Sequence, residues 1–219
     1  MVGFDPRIVF KYLPLLLHGA WTTLTVSLLG LALATGLSLP IALARMSRAR
    51  VLRVPSFVYV DLVRGTPLLV QIFAIFYVLP SVGLELTAFQ SAVLALGINS
   101  GGYQAEILRG GIQAIPRGQV ESARSLGMSY VQCLRRIVLP QVALNIMPAL
   151  TNEISNVIKG SSLVSVLAVV ELTRVGQQIV SSILRPVEIY VSVALVYLVM
   201  HLVISHASYR VERYFAARR

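Results

Sequence analysis

From Leu13 to Ala44 the chain runs for 32 residues without Asp, Glu, Lys or Arg. No other feature limits the fold as strongly. A helix needs about 20 predominantly apolar residues to cross the hydrocarbon core of a bilayer. The segment is therefore expected to be a membrane helix that is long, tilted or extended beyond the lipid. Gly30, Gly36 and Pro40 are candidate points for a bend or for close packing. Arg45, Arg48, Arg50 and Arg53 follow at once, as they would on leaving the lipid.

The rest of the chain repeats this alternation. Charged residues make up 13% of the 219 residues, where a soluble domain carries about 25%; mean hydropathy is +0.77. Met1 to Tyr12 lacks the compact basic start and small-residue cleavage site of a signal peptide, so none is expected. A second span is read from about Val58 to Pro80, with Asp61 and Arg64 one turn apart and able to pair near its start. Thr87 to Gln104 reads as the third, Ile137 to Ile158 as the fourth and Ile189 to His206 as the last. Ser161 to Val170 is apolar but too short to cross, and reads as a buried or re-entrant segment near the outer face. The expected fold class is an all-α integral membrane protein of five transmembrane helices in a single domain.

Five spans put the two ends on opposite sides, and basic residues choose the orientation. Arg45 to Arg64, Arg109 to Arg136 and the tail from Arg210 to Arg219 hold fourteen of the nineteen basic residues on one side. That side is expected to be cytoplasmic, with the N-terminus outside. The net charge of +10 is then topology and headgroup contact, and calls for no nucleic-acid partner. The single cysteine, Cys133, excludes an internal disulfide and fits no metal spacing.

One polar interruption is too long for a hairpin loop. Between Pro116 and Pro140, Ala123, Leu126, Tyr130 and Leu134 recur at helical spacing, while Arg124, Arg135 and Arg136 keep the segment out of lipid. A short amphipathic unit on the basic side is expected, with Pro116 at its first helical position and Gly127 as its hinge.

Polar groups also crowd two spans. The fourth carries Asn145, Asn152, Glu153, Asn156 and Lys159, and an ionisable group at mid-membrane costs on the order of 2.5–3.5 kcal/mol on the insertion scale. Glu153 and Lys159 are six residues apart, about 240° around the axis, so each needs a partner from elsewhere. In the third span Asn99, Tyr103 and Glu106 follow i, i+4, i+7 beside Gly97, Gly101 and Gly102. These groups either line a binding cavity or hold helices together.

Several runs resemble a known family. Glu121, Ala123, Gly127, Ile137, Leu139 and Pro140 resemble the EAA signature of membrane subunits of bacterial ABC importers, with Ser122 in place of the usual second Ala. Arg64 to Gln71 (RGTPLLVQ), Ile98 to Ile112 (INSGGYQAEILRGGI) and the run beginning NEISNVIKGSSL at Asn152 are similar to permeases for polar amino acids, of the histidine, glutamine, arginine and glutamate type. The resemblance implies a type I importer permease fold of five spans, placed in the bacterial inner membrane. It implies a homo- or heterodimer of permease subunits, two cytoplasmic ABC ATPases and an external amino-acid-binding protein. Glu121, Ala123, Leu126, Gly127 and Tyr130 would form the coupling helices that dock on the ATPase. Asn99, Tyr103, Glu153, Asn156, Lys159 and Ser161 would line the substrate pocket. Many members carry Asp where this chain has Gly160, which removes one counter-charge for a cationic cargo.

The chain has no G-x-x-x-x-G-K-[ST] phosphate loop. It is not expected to be an enzyme or to carry a cofactor or metal; ATP and Mg would sit on the partner ATPase. A zwitterionic amino acid would offer both charges that Glu153 and Lys159 lack within their own helix. An ion-coupled secondary transporter with Glu153 as its proton site is the alternative, and should show repeated halves.

Overall fold

The computed structural model describes residues 4–216, and the chain is helical throughout its ordered elements. Arg218 and Arg219 of the basic tail lie outside the described residues. Helix α1 spans Pro6–Met46. Asp5 caps it by accepting from the Arg7 amide at 2.9 Å, and Pro6 fills the first turn, where a missing N–H costs nothing. Its 41 residues extend about 60 Å, roughly twice the hydrocarbon thickness. Neither Pro14 nor Pro40 ends it.

The expected second span is not one straight helix. Helix α2, Arg50–Gly65, meets the segment Leu68–Val82, which opens with helix α3, Leu68–Phe73, at 112°. The corner is local chemistry: Pro67 excludes the helical conformation at Thr66, which is extended at φ −118° and ψ 145°. After α3 the chain continues through a π turn, Ala74–Val78, and a 3-10 turn, Leu79–Val82. Asp61 and Arg64 do not pair with each other. Arg45 takes Asp61 at 3.9 Å and Arg64 takes Glu106 at 3.6 Å, because both partners are brought in by neighbouring helices.

Helix α4, Ala88–Gln113, starts at a capping box of Thr87 and Gln90. It lies along α1. At Gly97 a Cβ would stand 2.5 Å from the Leu33 side chain, so this contact admits no larger residue without movement. Helices α5, Arg117–Ser125, and α6, Tyr130–Cys133, form the basic end. A π turn, Leu134–Val138, leads into α7, Leu139–Gly160, and a 3-10 turn, Ser161–Leu167, follows it. That turn buries Ser161, Val164, Ser165 and Leu167.

Helix α8, Leu172–Ile183, then packs between α1 and α9, Pro186–Ala216. Its N-cap, Glu171, is fully buried. It accepts from the amides of Thr173 at 2.9 Å and Arg174 at 2.7 Å, from the Tyr197 hydroxyl at 3.0 Å, and at 3.5 Å from Thr23. Thr23 also receives the Leu172 amide at 3.1 Å. One carboxylate thus ties α1, α8 and α9.

Among the described residues two helices, Pro6–Met46 and Pro186–Arg210, are long and apolar enough to cross a membrane, and the number rises to four if each bent pair, Arg50–Gly65 with Leu68–Val82 and Tyr130–Leu167 with Leu172–Ile183, forms one span. Helix α4 is not among them, because Asn99, Ser100, Gln104 and five glycines dilute its apolar character.

Candidate functional site

A cavity of about 230 Å³ opens where α3, α4 and α7 meet. Leu68, Leu96 and Val157 form its apolar walls, and its polar lining is Asn99, Tyr103, Glu153 and Asn156. The i, i+4 spacing puts Asn99 and Tyr103 on one face of α4, and the i, i+3 spacing puts Glu153 and Asn156 on one face of α7. Four of the six residues expected in a pocket are therefore neighbours. Lys159 is exposed at the end of α7 and does not line the cavity. Ser161 is fully buried and donates its hydroxyl to the Ile158 carbonyl at 2.7 Å.

Glu153 is 7% exposed and accepts from Ser100 Oγ at 2.7 Å. Gln104 Nε2 donates to that same oxygen of Ser100 at 3.2 Å, and Thr35 Oγ1 of α1 lies 3.2 Å from Gln104 Oε1. The buried acid is thus supported by hydroxyl and amide groups from two other helices. Asn99 is positioned differently. Its Nδ2 donates to Gln71 Oε1 at 3.0 Å, while Gln71 Nε2 donates back to the Val63 carbonyl at 2.7 Å and to Thr66 Oγ1 at 2.9 Å. Gln71 therefore fixes both the α2–α3 corner and the cavity amide.

Sequence reasoning missed Gln71, Ser100 and Gln104 as supporting residues. Gln71 closes the quoted run Arg64 to Gln71, and that was the available signal. Ser100 and Gln104 lie on α4 outside the i, i+4, i+7 stripe that was followed. Glu106 belongs to that stripe but points into an ion-pair cluster beyond the cavity rather than into it.

The amphipathic unit at the basic end is two helices rather than one. Helix α5 closes with the Gly127 amide on the Arg124 carbonyl at 2.9 Å and the Met128 amide on the Ala123 carbonyl at 3.2 Å. Gly127 sits at φ +84°, the left-handed position that this closure requires. Ser129 and Gln132 then cap α6 reciprocally. The chain turns at Gly127, so Ala123, Leu126, Tyr130 and Leu134 share no single face. Ala123 is buried, whereas Leu126 is 85% and Tyr130 61% exposed. Pro116 occupies the N-cap rather than the expected first helical position, which falls to Arg117. Glu121 is exposed and lines a groove of about 500 Å³ with Met46, Gln113, Arg117, Arg124 and Tyr130. Cys133, 2% exposed, belongs to the small apolar core beneath it.

Membrane-length helices, a buried acid beside a polar cavity, and a glycine-turned pair of short helices at the basic end define a membrane subunit of a transport system. Residues 34–219 match the family described as the binding-protein-dependent transport system inner membrane component, and the chain belongs to that family. It is 39% identical over 212 residues to the nopaline transport system permease protein NocM of Agrobacterium fabrum, covering 92% of this chain and 88% of that one. It is 37% identical over 212 residues to the glutamine transport system permease protein GlnP of Escherichia coli K12, covering 96% and 97%. A crystal structure of an amino acid ABC transporter with histidines superposes with a TM-score of 0.89 at 40% identity, covering 97% of this chain and 99% of that one. The fold is thus that of type I ABC permeases, and the EAA run at Glu121 fits the family.

Proposed function

We propose that this chain is one permease subunit of an ABC importer that carries a polar L-amino acid into the cytoplasm. The observation that carries the reading is the buried carboxylate of Glu153 facing a cavity that it shares with Asn99, Tyr103 and Asn156. An acid in that position is suited to an ammonium group, and the amides beside it to the rest of a polar solute. The names of similar proteins, which include nopaline, glutamine and L-cystine permeases, support an amino-acid cargo. At about 230 Å³ the cavity is smaller than the 300–1,000 Å³ of most ligand sites. It reads as half of a site completed by a second subunit, identical or paralogous. Exposed Lys159 would reach the cargo carboxylate from that shared side. The Ser161 hydroxyl, held by Ile158, would shape the wall.

In this reading the chain crosses the inner membrane five times with its N-terminus outside. The fourteen basic residues lie inside, and the two bent helix pairs supply their spans in broken form. Two ABC ATPases, which hold ATP and Mg, dock on Glu121, Ala123, Leu126, Gly127 and Tyr130. An external binding protein delivers the cargo. ATP-driven closure moves α5 and α6, and the cavity faces outward and inward in turn.

The test is co-purification with neighbouring gene products, followed by ATPase measurement across a panel of amino acids. Stimulation by one polar class supports the reading. Amino-acid uptake by this chain alone, with no ATPase present, overturns it.

A further inference from the structure

Glu106 lies one turn beyond Tyr103 on α4, and guanidinium groups from three helices converge on it. Arg45, at the end of α1, approaches to 3.2 Å, and Arg64, at the end of α2, to 3.6 Å. Arg109, on α4 itself, grips both carboxylate oxygens at 2.9 Å. The Arg45 side chain is 6% exposed and covers the Phe57 ring at 4.0 Å, so it cannot exchange Glu106 for water without moving. A buried cation left without its carboxylate is costly. The Arg45–Glu106 pair is therefore the fixed member of the cluster, and Arg64, 46% exposed, is the member free to move.

The cluster also reaches in two directions. Arg64 stands over the ring of Tyr103 at 5.6 Å, and Tyr103 is a wall of the cavity. Arg109 Nη1 donates to Gln113 Oε1 at 2.7 Å, and Gln113 lines the groove beside α5 and α6. Cavity wall, Arg64, Glu106, Arg109 and groove form one contiguous chain of contacts.

We propose that Glu106 is the positioning residue that links occupancy of the cavity to the coupling segment. Resting on the importer reading above, the inference assigns the link to this cluster. Cargo against Tyr103 disturbs Arg64, the most exposed of the three arginines. Glu106 then redistributes between Arg45 and Arg109, and Gln113 carries the shift to the groove under α5 and α6. A packed cluster with two discrete arrangements is the kind of element through which two sites can bias each other.

The test uses the whole importer in proteoliposomes, with the ATPase and binding protein that co-purify with this chain. ATP hydrolysis is measured with and without cargo-loaded binding protein. Arg64→Gln and Arg109→Gln should each lower the ratio of stimulated to basal ATPase by about fivefold or more, the lower end of usual coupling between sites, with the basal rate unchanged. The double variant should lose no more than the worse single one, because both act through Glu106. Wild-type stimulation in both single variants, or a double-variant loss equal to the product of the two, overturns the inference. If Arg109→Gln does not assemble, Arg64→Gln decides alone, since that side chain is 46% exposed and its removal leaves the Glu106–Arg109 pair in place. A wild-type complex that no amino acid stimulates overturns the importer reading itself. Stimulation that survives in the variants overturns only the role of Glu106.

Discussion

Glu153 and Glu171 are both buried carboxylates in a membrane helix bundle, and they are satisfied in contrasting ways. Glu171 is sealed at the start of α8. Two backbone amides and two hydroxyls reach it, it has no exposed surface, and its donors come from three helices. Glu153 keeps 7% of its surface, accepts from Ser100, and lines a cavity. The difference teaches how to separate an acid that holds helices together from one that awaits a ligand. Burial is common to both. The surroundings of the oxygens differ: those of Glu171 are filled by fixed donors, whereas Glu153 stands beside open space lined by amides.

Four substitutions test this contrast, in falling order of expected effect. Glu171→Ala removes the N-cap and leaves Thr23 and Tyr197 facing a void. Breaking a buried charged network of this kind costs about 3–5 kcal/mol. The purified subunit should show a large loss of melting temperature and poor assembly; a stable, fully assembled Glu171→Ala complex would remove the contrast. Next comes Glu153→Gln, which keeps shape and removes charge. Uptake should fall about tenfold to a hundredfold, the worth of one hydrogen bond to a charged group, with little change in melting temperature. Collapse of the complex instead would put Glu153 in the same class as Glu171.

The last two variants each delete one hydroxyl donor. Tyr197→Phe leaves a sealed carboxylate oxygen short of a partner, and should cost stability by about 1.5 kcal/mol, the low end for such bonds. Ser100→Ala does the same to Glu153, but the cavity beside that acid has room for a water to take over the bond at small cost. Its melting temperature should move less than that of Tyr197→Phe. Equal shifts in the two variants would mean that the cavity is as dry as the Glu171 site.

The sequence made some of this legible and not the rest. Periodicity identified the faces of α4 and α7 that carry Asn99, Tyr103, Glu153 and Asn156, because a helical face is a local property. It did not reveal that Ser100 and Gln104, off that stripe, would be the residues to meet Glu153, because that depends on how α4 and α7 pack. The α2–α3 corner was written in Thr66–Pro67 but was outweighed by the continuous apolar run around it. Glu171 left little trace: Glu is not a favoured N-cap residue, and its partners Thr23 and Tyr197 are 148 and 26 positions away. Gly127 is a turn, as the sequence suggests, yet that turn divides the apolar face that the spacing of Ala123, Leu126, Tyr130 and Leu134 predicts.

The burial of Cys133 has a practical use. It is the chain's one cysteine, and at 2% exposure it should be nearly inert to a charged thiol reagent. The natural protein is then its own blank for mapping sidedness in whole cells, and no cysteine-free parent need be built. Ser81 and Gly118 are exposed positions that the proposed five-span arrangement puts on opposite sides, and nothing lies within 4 Å of where a Cβ at Gly118 would stand. With an impermeant maleimide, Ser81→Cys should label in intact cells and Gly118→Cys only after the cells are opened. The reverse pattern would turn the subunit over in its membrane.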